Sequence, residues 1–411
     1  MVTLDDCSGP ERSRGYQPRY SKKRERDTMS RLLHHQADRI ELVLASHKVP
    51  ARVTGGTVTP RLVRYQISTP LGVRIRKIKG LAEEIALSLG APTCRVYRQA
   101  GQVQVEVPRR EGQVVHLMEI CRKLAASQSQ VPPITAVLGL DDGGRPLLLQ
   151  LTSPNVAHVL LAGTTGSGKT VLARTIIASL ALLNPQKRLQ MLLIDPKGRG
   201  FASLNRLPHL VRPVLTRADE ALPALRQIVD EMERRDRETR SDPRLVVVLD
   251  ELADLIQVGG SEMEQLLTRL TQRGREAGIH LVACTQKPSA AIIGSLIKSN
   301  FPVRLVGSVT SPEDAKVATG MAGTGAERLL GQGDFLLVIK GHAQRFQGAY
   351  LSEHELTTLV ARLVQQGHGA QMLAAWTGTD GAGEQSEGLA ARLRSQVRSQ
   401  LQLVKPRSRR V

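Results

Sequence analysis

One glycine-rich stretch limits the possible folds of this chain more than any other feature of the sequence. It reads HVLLAGTTGSGKTVLARTI and begins at His158. A short aliphatic run leads into the spacing G-x-x-x-x-G-K-T, and a helix-forming segment follows. Strand, glycine loop and helix in this order predict a phosphate-binding loop, in which backbone N–H groups and the helix dipole converge on a polyphosphate anion.

Each residue type in this loop suits the binding of a nucleotide for a chemical reason. The glycines allow the backbone to curl closely around the phosphates. Lys169 is expected to reach the β- and γ-phosphates of ATP, and the Thr170 hydroxyl to bind Mg²⁺. The predicted nucleotide-binding residues are Gly163, Thr164, Thr165, Gly166, Ser167, Gly168, Lys169 and Thr170.

A second segment, RLVVVLDELADL, carries the acidic residues that ATP hydrolysis requires. Its hydrophobic strand ends at Asp250, which we expect to bind Mg²⁺. Glu251 follows, where a carboxylate can orient and deprotonate the attacking water. An acidic helix N-cap is the alternative interpretation of this pair. Its place about eighty residues after the glycine loop favours an ATPase.

The composition favours a polyanionic partner. Lys and Arg total 57 against 38 Asp and Glu, a formal net charge of +19, and such an excess is typical of nucleic-acid-binding proteins. A general preference for arginine in the genome is the alternative explanation. Aromatic residues make up only 2%, whereas single-strand binders stack bases on aromatic side chains. The sequence therefore predicts a duplex held through its phosphates.

The sequence predicts neither a membrane span nor a secretion signal. Its longest apolar stretch, residues 176–183, is far shorter than the roughly 20 residues that cross a bilayer. The N-terminal SKKRERD has no apolar signal-peptide core. The four cysteines are scattered without a pairing or zinc-binding pattern, which suits a reducing compartment. We therefore expect a cytoplasmic protein.

Patterning along the chain predicts four parts. Residues 1–30 are basic and expected to be disordered. Residues 31–130 combine helical and β-like segments and predict a small α/β domain. Residues 131–367 contain the glycine loop and continuous apolar runs of the kind found in a parallel sheet covered on both faces. Residues 368–411 are interpreted as a flexible linker and basic tail. The apolar runs are HVLLAG, LQMLLID, RLVVVLD, IHLVACTQ and VRLVGSV.

At RGREAGIHLVACTQKPS the resemblance to a known family becomes specific. With LLIDPKG, LPHLVRPVLT, EMERR and the two segments above, it resembles the motor of the FtsK/SpoIIIE double-stranded DNA translocases. VTPRLVRYQISTPLGVRIRKIKGLAEEIALSLGA is similar to the family's α domain. The resemblance implies an α/β fold: a RecA-like P-loop NTPase with a central, mostly parallel sheet, preceded by a small α/β domain. It also implies a ring, usually a hexamer, around duplex DNA.

The resemblance also implies roles for individual residues. Gln286 matches the polar residue that senses the γ-phosphate, and Arg275 matches the arginine that a neighbouring subunit inserts into the site. Asp195 stands at a strand end, where structural and catalytic roles are equally open. DNA contacts would come from channel loops, with Pro312 standing where the family has lysine. The predicted DNA-binding residues are Lys287, Lys298 and Lys316.

Three histidines and one glycine-rich stretch carry no catalytic role in this interpretation. His158, His209 and His280 are expected to be structural, and GMAGTGAERLLGQGD is interpreted as turns. We expect neither the family's membrane-spanning region nor its winged-helix domain.

Taken together, these features predict an ATP-driven translocase that moves or segregates double-stranded DNA, as in chromosome partition or cell division. The expected cofactors are ATP and Mg²⁺. The expected partners are duplex DNA, further copies of the chain in a hexamer, and a division or DNA-transfer protein. Two alternatives stay open: a coupling ATPase for DNA transfer by a conjugative or integrative element, and a nucleotide-gated tether that closes on DNA without travelling.

Overall fold

The computed structural model describes residues 19–99, 101–109, 112–126, 131–286 and 300–366. The chain divides into two compact units, residues 1–112 and 113–411. This division precedes the boundary that the sequence places at residue 130. Helix α4 (Leu117–Ala126) lies between the two positions, and its Leu117 and Ile120 belong to the apolar core of the larger unit.

The smaller unit is a four-stranded antiparallel sheet with helices packed against it. Its strand order is β1-β2-β4-β3, and each neighbouring pair is antiparallel. Ile85 and Leu89 of its third helix are buried with Ile40 and Leu44 of the first. The elements are α1 (Arg19–Ser46), β1 (Arg52–Val58), β2 (Leu62–Ser68), α2 (Ile75–Lys79), α3 (Ala82–Leu89), β3 (Arg95–Gln99) and β4 (Gln102–Pro108).

Helix α1 begins earlier than the sequence predicts. Disorder was expected up to residue 30, but the helix begins at Arg19, while residues 1–18 lie outside the described part of the chain. The segment from Arg19 onward is highly charged, which lowers its hydropathy and suggests disorder. It contains neither glycine nor proline, so its backbone has no residue that stops a helix. The helix replaces the disorder expected for residues 19–30.

The larger unit is built on a nine-stranded sheet in the order β6-β5-β13-β12-β11-β7-β10-β9-β8. Its remaining elements are β5 (Thr135–Asp141), β6 (Pro146–Gln150), β7 (Val159–Ala162), α5 (Lys169–Leu183), β8 (Leu189–Ile194), α6 (Ala218–Glu238), β9 (Arg244–Leu249), α7 (Leu252–Arg273), β10 (Ile279–Thr285), β11 (Val303–Val306), α8 (Pro312–Thr319), β12 (Asp334–Ile339), β13 (His342–Gly348) and α9 (Glu353–Gln366).

The predicted apolar runs form the parallel half of this sheet. Strands β11, β7, β10, β9 and β8 are neighbours in that order, and all their pairings are parallel. Along β7, Val159 and Leu161 face the core that contains α5, whereas Leu160 and Ala162 face the core that contains α6 and α7. A strand buried on both faces explains why these runs are continuously apolar.

The antiparallel half of the sheet was not anticipated. Strands β12, β13, β5 and β6 extend it from β11, each antiparallel to its neighbour. Between β12 and β13, Lys340 and Gly341 have φ angles of 49° and 74°. Two left-handed residues in a row are the geometry of a tight hairpin turn. The sheet as a whole is therefore mixed, and its parallel strands carry the glycine loop.

No helix in the described ranges has the length and apolar character needed to cross a membrane.

Two buried histidines join β7 and β10. The backbone N–H of Leu281 donates to His158 Nδ1 at 3.1 Å, and His280 Nδ1 hydrogen-bonds to the Ala157 carbonyl at 3.0 Å. Burial, with the neighbouring His280, lowers the pKa of His158 to about 3. Burial lowers the pKa of His280 to about 4. Both side chains are neutral at pH 7, as expected of structural histidines.

We expect the free energy of unfolding to fall as the pH drops from 7.5 to 5. The unfolded chain takes up protons at these two histidines near pH 6.5, while the folded chain does not, so acid favours unfolding. Urea unfolding across this range should show the loss. It should be smaller in His280→Gln, whereas His342→Gln, which changes an exposed histidine, should keep the wild-type dependence. A pH-independent free energy in the wild-type protein would contradict the assignment.

Candidate nucleotide site

The glycine loop joins the carboxyl end of β7 to the amino end of α5, and Lys169 is the first residue of that helix. Gly166 and Gly168 have φ angles of 84° and 94°, a region that favours glycine. A β-carbon at Gly168 would lie 2.7 Å from the backbone nitrogen of Gly333. Gly168 is therefore required both by its conformation and by the close approach of another segment.

The segment that contains Gln332 and Gly333 hydrogen-bonds to the glycine loop through its backbone. The backbone N–H groups of Gln332 and Gly333 donate to the carbonyls of Gly166 and Ser167 at 2.9 and 2.8 Å. These donors belong to the glycine-rich stretch that the sequence suggests is only turns. Contacts between backbones leave no side-chain signature, so the glycines were the only available clue to this role.

Asp250 and Glu251 lie at the same edge of the sheet as the glycine loop, because β9 and β7 both run parallel to β10 between them. Lys169 Nζ lies 3.4 Å from Asp250 Oδ1 and 3.8 Å from Glu251 Oε2. All three side chains are buried. The structure thus brings the predicted lysine and both predicted carboxylates into one cluster.

The two carboxylate oxygens of Glu251 have different surroundings. Oε1 accepts hydrogen bonds from Thr285 Oγ1 at 3.2 Å and from the Gln286 backbone N–H at 3.1 Å. Oε2 is buried and accepts no hydrogen bond from the residues that the structure describes. The φ angle of Glu251 is 59°, which is uncommon for a residue with a side chain and marks local strain. One oxygen is held in place and the other is available, as a general base requires.

Gln286 connects the end of β10 to the glycine loop. Its side-chain Oε1 accepts a hydrogen bond from Thr165 Oγ1 at 3.3 Å, while its backbone N–H holds Glu251. The residue predicted to sense the γ-phosphate therefore contacts the loop through its side chain and the carboxylate through its backbone.

Asp195 supports a neighbouring loop. Its Oδ2 accepts from the backbone N–H groups of Gly200 at 2.7 Å and Phe201 at 3.0 Å, and its Oδ1 from Gly198 at 3.1 Å. Both oxygens are engaged, which favours the structural role over the catalytic one.

Asp250 and Thr170 lie close together beside Gly200. A β-carbon at Gly200 would lie 3.1 Å from Asp250 Oδ2 and 3.3 Å from both Asp195 Oδ2 and Thr170 Cγ2, closer than most β-carbon contacts, so glycine suits this position. Mg²⁺ is bound through a few protein oxygens together with water and phosphate, and the Thr170 hydroxyl and Asp250 carboxylate fit this role. The described residues contain no cluster of three or more His, Cys, Asp or Glu side chains that could hold a metal alone.

Arg275 lies at the opposite end of β10 from the glycine loop. It precedes the seven-residue strand, whose length is about 20 Å, so its exposed side chain cannot reach the loop of its own subunit. Nearby Arg273 is paired with Asp236 at 2.7 Å. No carboxylate within the described ranges pairs with Arg275, whose guanidinium is therefore available to a neighbour.

Two of the three predicted DNA-binding residues, Lys287 and Lys298, lie outside the described residues. Lys316 is exposed on α8. That helix begins at Pro312, and the Asp314 N–H donates to the capping Ser311 Oγ at 3.0 Å. Proline suits a first helical position because its missing N–H has no helical partner there. Pro312 thus has a structural reason to replace lysine.

Lys197 was not singled out from the sequence. Its ammonium lies 3.7 Å from Glu251 Oε2 and 3.1 Å from Asp254 Oδ2. It is part of LLIDPKG, in which the sequence draws attention only to Asp195, and the available signal was a cation in the loop after β8 (Leu189–Ile194), at the nucleotide-binding edge.

The chain is similar to known proteins in both its sequence and its fold. The FtsK/SpoIIIE family model matches residues 118–241 and 236–290, and the FtsK alpha domain model matches residues 19–109. The DNA translocase SftA of Bacillus subtilis is 37% identical over 360 residues, covering 81% of this chain and 37% of the relative. The DNA translocase FtsK of Staphylococcus epidermidis is 36% identical over 358 residues, covering 80% and 44%. The chain spans less than half the length of these relatives.

Solved structures share the fold. The pCW3 conjugation coupling protein TcpA, solved with ATPgS, has a TM-score of 0.52 at 20% identity and covers 80% of this chain and 99% of its own. The cytoplasmic domain of the type VII secretion ATPase EccC of Thermomonospora curvata has a TM-score of 0.50 at 24% identity, with coverages of 58% and 32%. At these identities the likeness establishes a P-loop ATPase fold and nothing about function.

Proposed function

Because the chain belongs to the FtsK/SpoIIIE family, we propose that it is an ATP-driven motor that moves along double-stranded DNA. The observation that carries the proposal is the cluster of Lys169, Asp250 and Glu251 beside the glycine loop, in a chain whose relatives are named DNA translocases. Those names favour translocation over the coupling ATPase and the tether. Chromosome partition or cell division is the proposed setting.

Hydrolysis of ATP follows from the arrangement of the side chains. Lys169 and the backbone N–H groups of the glycine loop would bind the phosphates. Glu251 Oε2 would accept a proton from the attacking water, while Thr285 and Gln286 hold Oε1 in place. Thr170 and Asp250 would hold Mg²⁺, which when bound neutralises phosphate charge.

Arg275 is proposed to complete the site of a neighbouring subunit. It cannot reach its own loop, and a planar guanidinium suits the charge that develops on the transferred phosphoryl group. This role requires the sites to lie between subunits, as they would in the proposed hexamer.

Duplex DNA is the proposed substrate. The formal net charge of +19 supports a phosphate-rich partner. Lys316, with Lys287 and Lys298, would contact the DNA backbone. A partner protein in division or DNA transfer remains part of the proposal.

Replacing Glu251 with Gln should leave the binding of ATP and DNA intact and slow hydrolysis at least ~100-fold, because the amide cannot accept the proton of the attacking water. Steady-state ATP turnover with duplex DNA, alongside equilibrium binding of a fluorescent ATP analogue, measures both effects. Glu276→Gln, which changes an exposed glutamate, is the control. Unchanged turnover in Glu251→Gln would remove this residue from the mechanism.

Arg275→Ala should abolish turnover even with DNA bound, because each site would lose the cation that its neighbour supplies. Mixing this variant with the equally inactive Lys169→Ala should restore part of the activity, since some mixed interfaces then contain both residues. Arg273→Ala, whose side chain is engaged by Asp236, should stay active. If no mixing ratio restores turnover, the shared site is wrong.

A further inference from the structure

Lys197 reaches the available oxygen of Glu251 from outside the glycine loop. Its ammonium lies between Glu251 Oε2, at 3.7 Å, and Asp254 Oδ2, at 3.1 Å. Asp254 belongs to the first turn of α7, the helix that begins directly after Glu251. The side chains of Lys197 and Asp254 are 48% and 46% exposed, whereas that of Glu251 is 5% exposed. The lysine thus connects the buried base to the helix that follows it.

The ammonium is charged at neutral pH. Partial burial would lower the pKa of Lys197, but the hydrogen bond to Asp254 and the negative charges of Glu251, Asp254 and Asp250 outweigh it and raise that pKa above its ordinary value. The contact with Glu251 is therefore an ion pair.

The backbone that carries Lys197 is fixed from two sides. The Asp195 carboxylate accepts hydrogen bonds from backbone N–H groups within residues 198–201. Arg174 of α5 donates to the carbonyl of Arg199 at 3.0 Å and to that of Gly200. Because these hydrogen bonds hold the loop, the backbone of Lys197 has a defined position, unlike that of a lysine on a free surface segment.

The two lysines near Glu251 Oε2 have different tasks. Lys169 lies 3.8 Å from this oxygen and, in the proposed function, turns to the phosphates when ATP binds. The triphosphate then repels the carboxylate, because like charges at short range in a poorly solvated site interact strongly. Lys197 is not part of the glycine loop and is the cation that stays beside Oε2.

We propose that Lys197 is a positioning residue for Glu251: braced by Asp254, it holds the available carboxylate oxygen where it can activate water after Lys169 has moved to the phosphates. This inference rests on the proposed ATPase activity. It assigns the motor a residue outside the glycine loop and outside the Asp250–Glu251 pair.

The test must separate an effect on catalysis from an effect on folding stability. A half-exposed ion pair contributes little to folding, so we expect the variants to change catalysis without changing stability. The variants are Lys197→Met, Lys197→Arg and Asp254→Asn in the full chain, with Lys187→Met, at an exposed lysine, as the matched control. For each, kcat and KM are measured with saturating duplex DNA, together with the Kd of a fluorescent ATP analogue and the thermal unfolding midpoint.

Lys197→Met should lower kcat on the order of ten- to a hundredfold, the loss expected when a catalytic group is misplaced by about an ångström. The Kd for nucleotide should stay within about twofold of wild type, and the midpoint should not change. Lys197→Arg should restore most of kcat, and Asp254→Asn should lower it less than Lys197→Met. Lys187→Met should behave as wild type.

A double variant tests whether Lys197 acts through Glu251. Lys197→Met combined with Glu251→Gln should be no slower than Glu251→Gln alone, because positioning matters only while the base is present. A further loss in the double variant would mean that Lys197 acts elsewhere and would overturn the inference.

Two other results would also overturn it. Wild-type kcat in Lys197→Met would show that the ion pair does not position the base, and a Kd that rises as much as kcat falls would make Lys197 a phosphate ligand instead. A wild-type protein without ATP turnover would overturn the proposed function, and this inference with it. An active wild type with an unaffected Lys197→Met would overturn the positioning role alone.

Discussion

The candidate nucleotide site depends on one buried cluster of charges. Lys169, Asp250 and Glu251 are only 4%, 6% and 4% exposed, and isolated charges at such depth would be very costly. Pairing offsets that cost, because the ammonium lies within 4 Å of both carboxylates. Two carboxylates against one ammonium leave an excess of negative charge. Lys197 offsets part of it, and a bound magnesium ion would offset more.

The parallel strands bring these groups together. Thr285 at the end of β10 is paired with Ala162 at the end of β7, and Ala283 with Leu249 at the end of β9. The glycine loop, the two carboxylates and Gln286 therefore leave the sheet at one edge. A slip of one residue in either pairing would turn the strand's side chains to the opposite face and move the end of the strand away from its partners. The left-handed backbone of Glu251 persists because Thr285 and Gln286 hold its side chain.

The sequence predicted the features that follow from local pattern. Continuous apolar runs predicted the parallel strands, and glycine spacing with the Asp250–Glu251 pair predicted residues that the structure brings together. Features built from long-range backbone contacts left weaker signals. The antiparallel half of the sheet could have been suspected from Lys340-Gly341, but the support of the glycine loop by Gln332 and Gly333 consists of main-chain hydrogen bonds alone. Lys197 was missed because its partners, Glu251 and Asp254, lie more than fifty residues away in the chain and reach it only through the pairing of β8 with β9.

The most direct test of the central claim is ATP turnover by the purified protein with linear duplex DNA, single-stranded DNA or no DNA, across a salt series. A motor driven by this site along duplex phosphates should be strongly stimulated by duplex alone, and the stimulation should fade as salt rises, because counterion release contributes less to binding. Turnover that is the same with and without DNA would contradict the account.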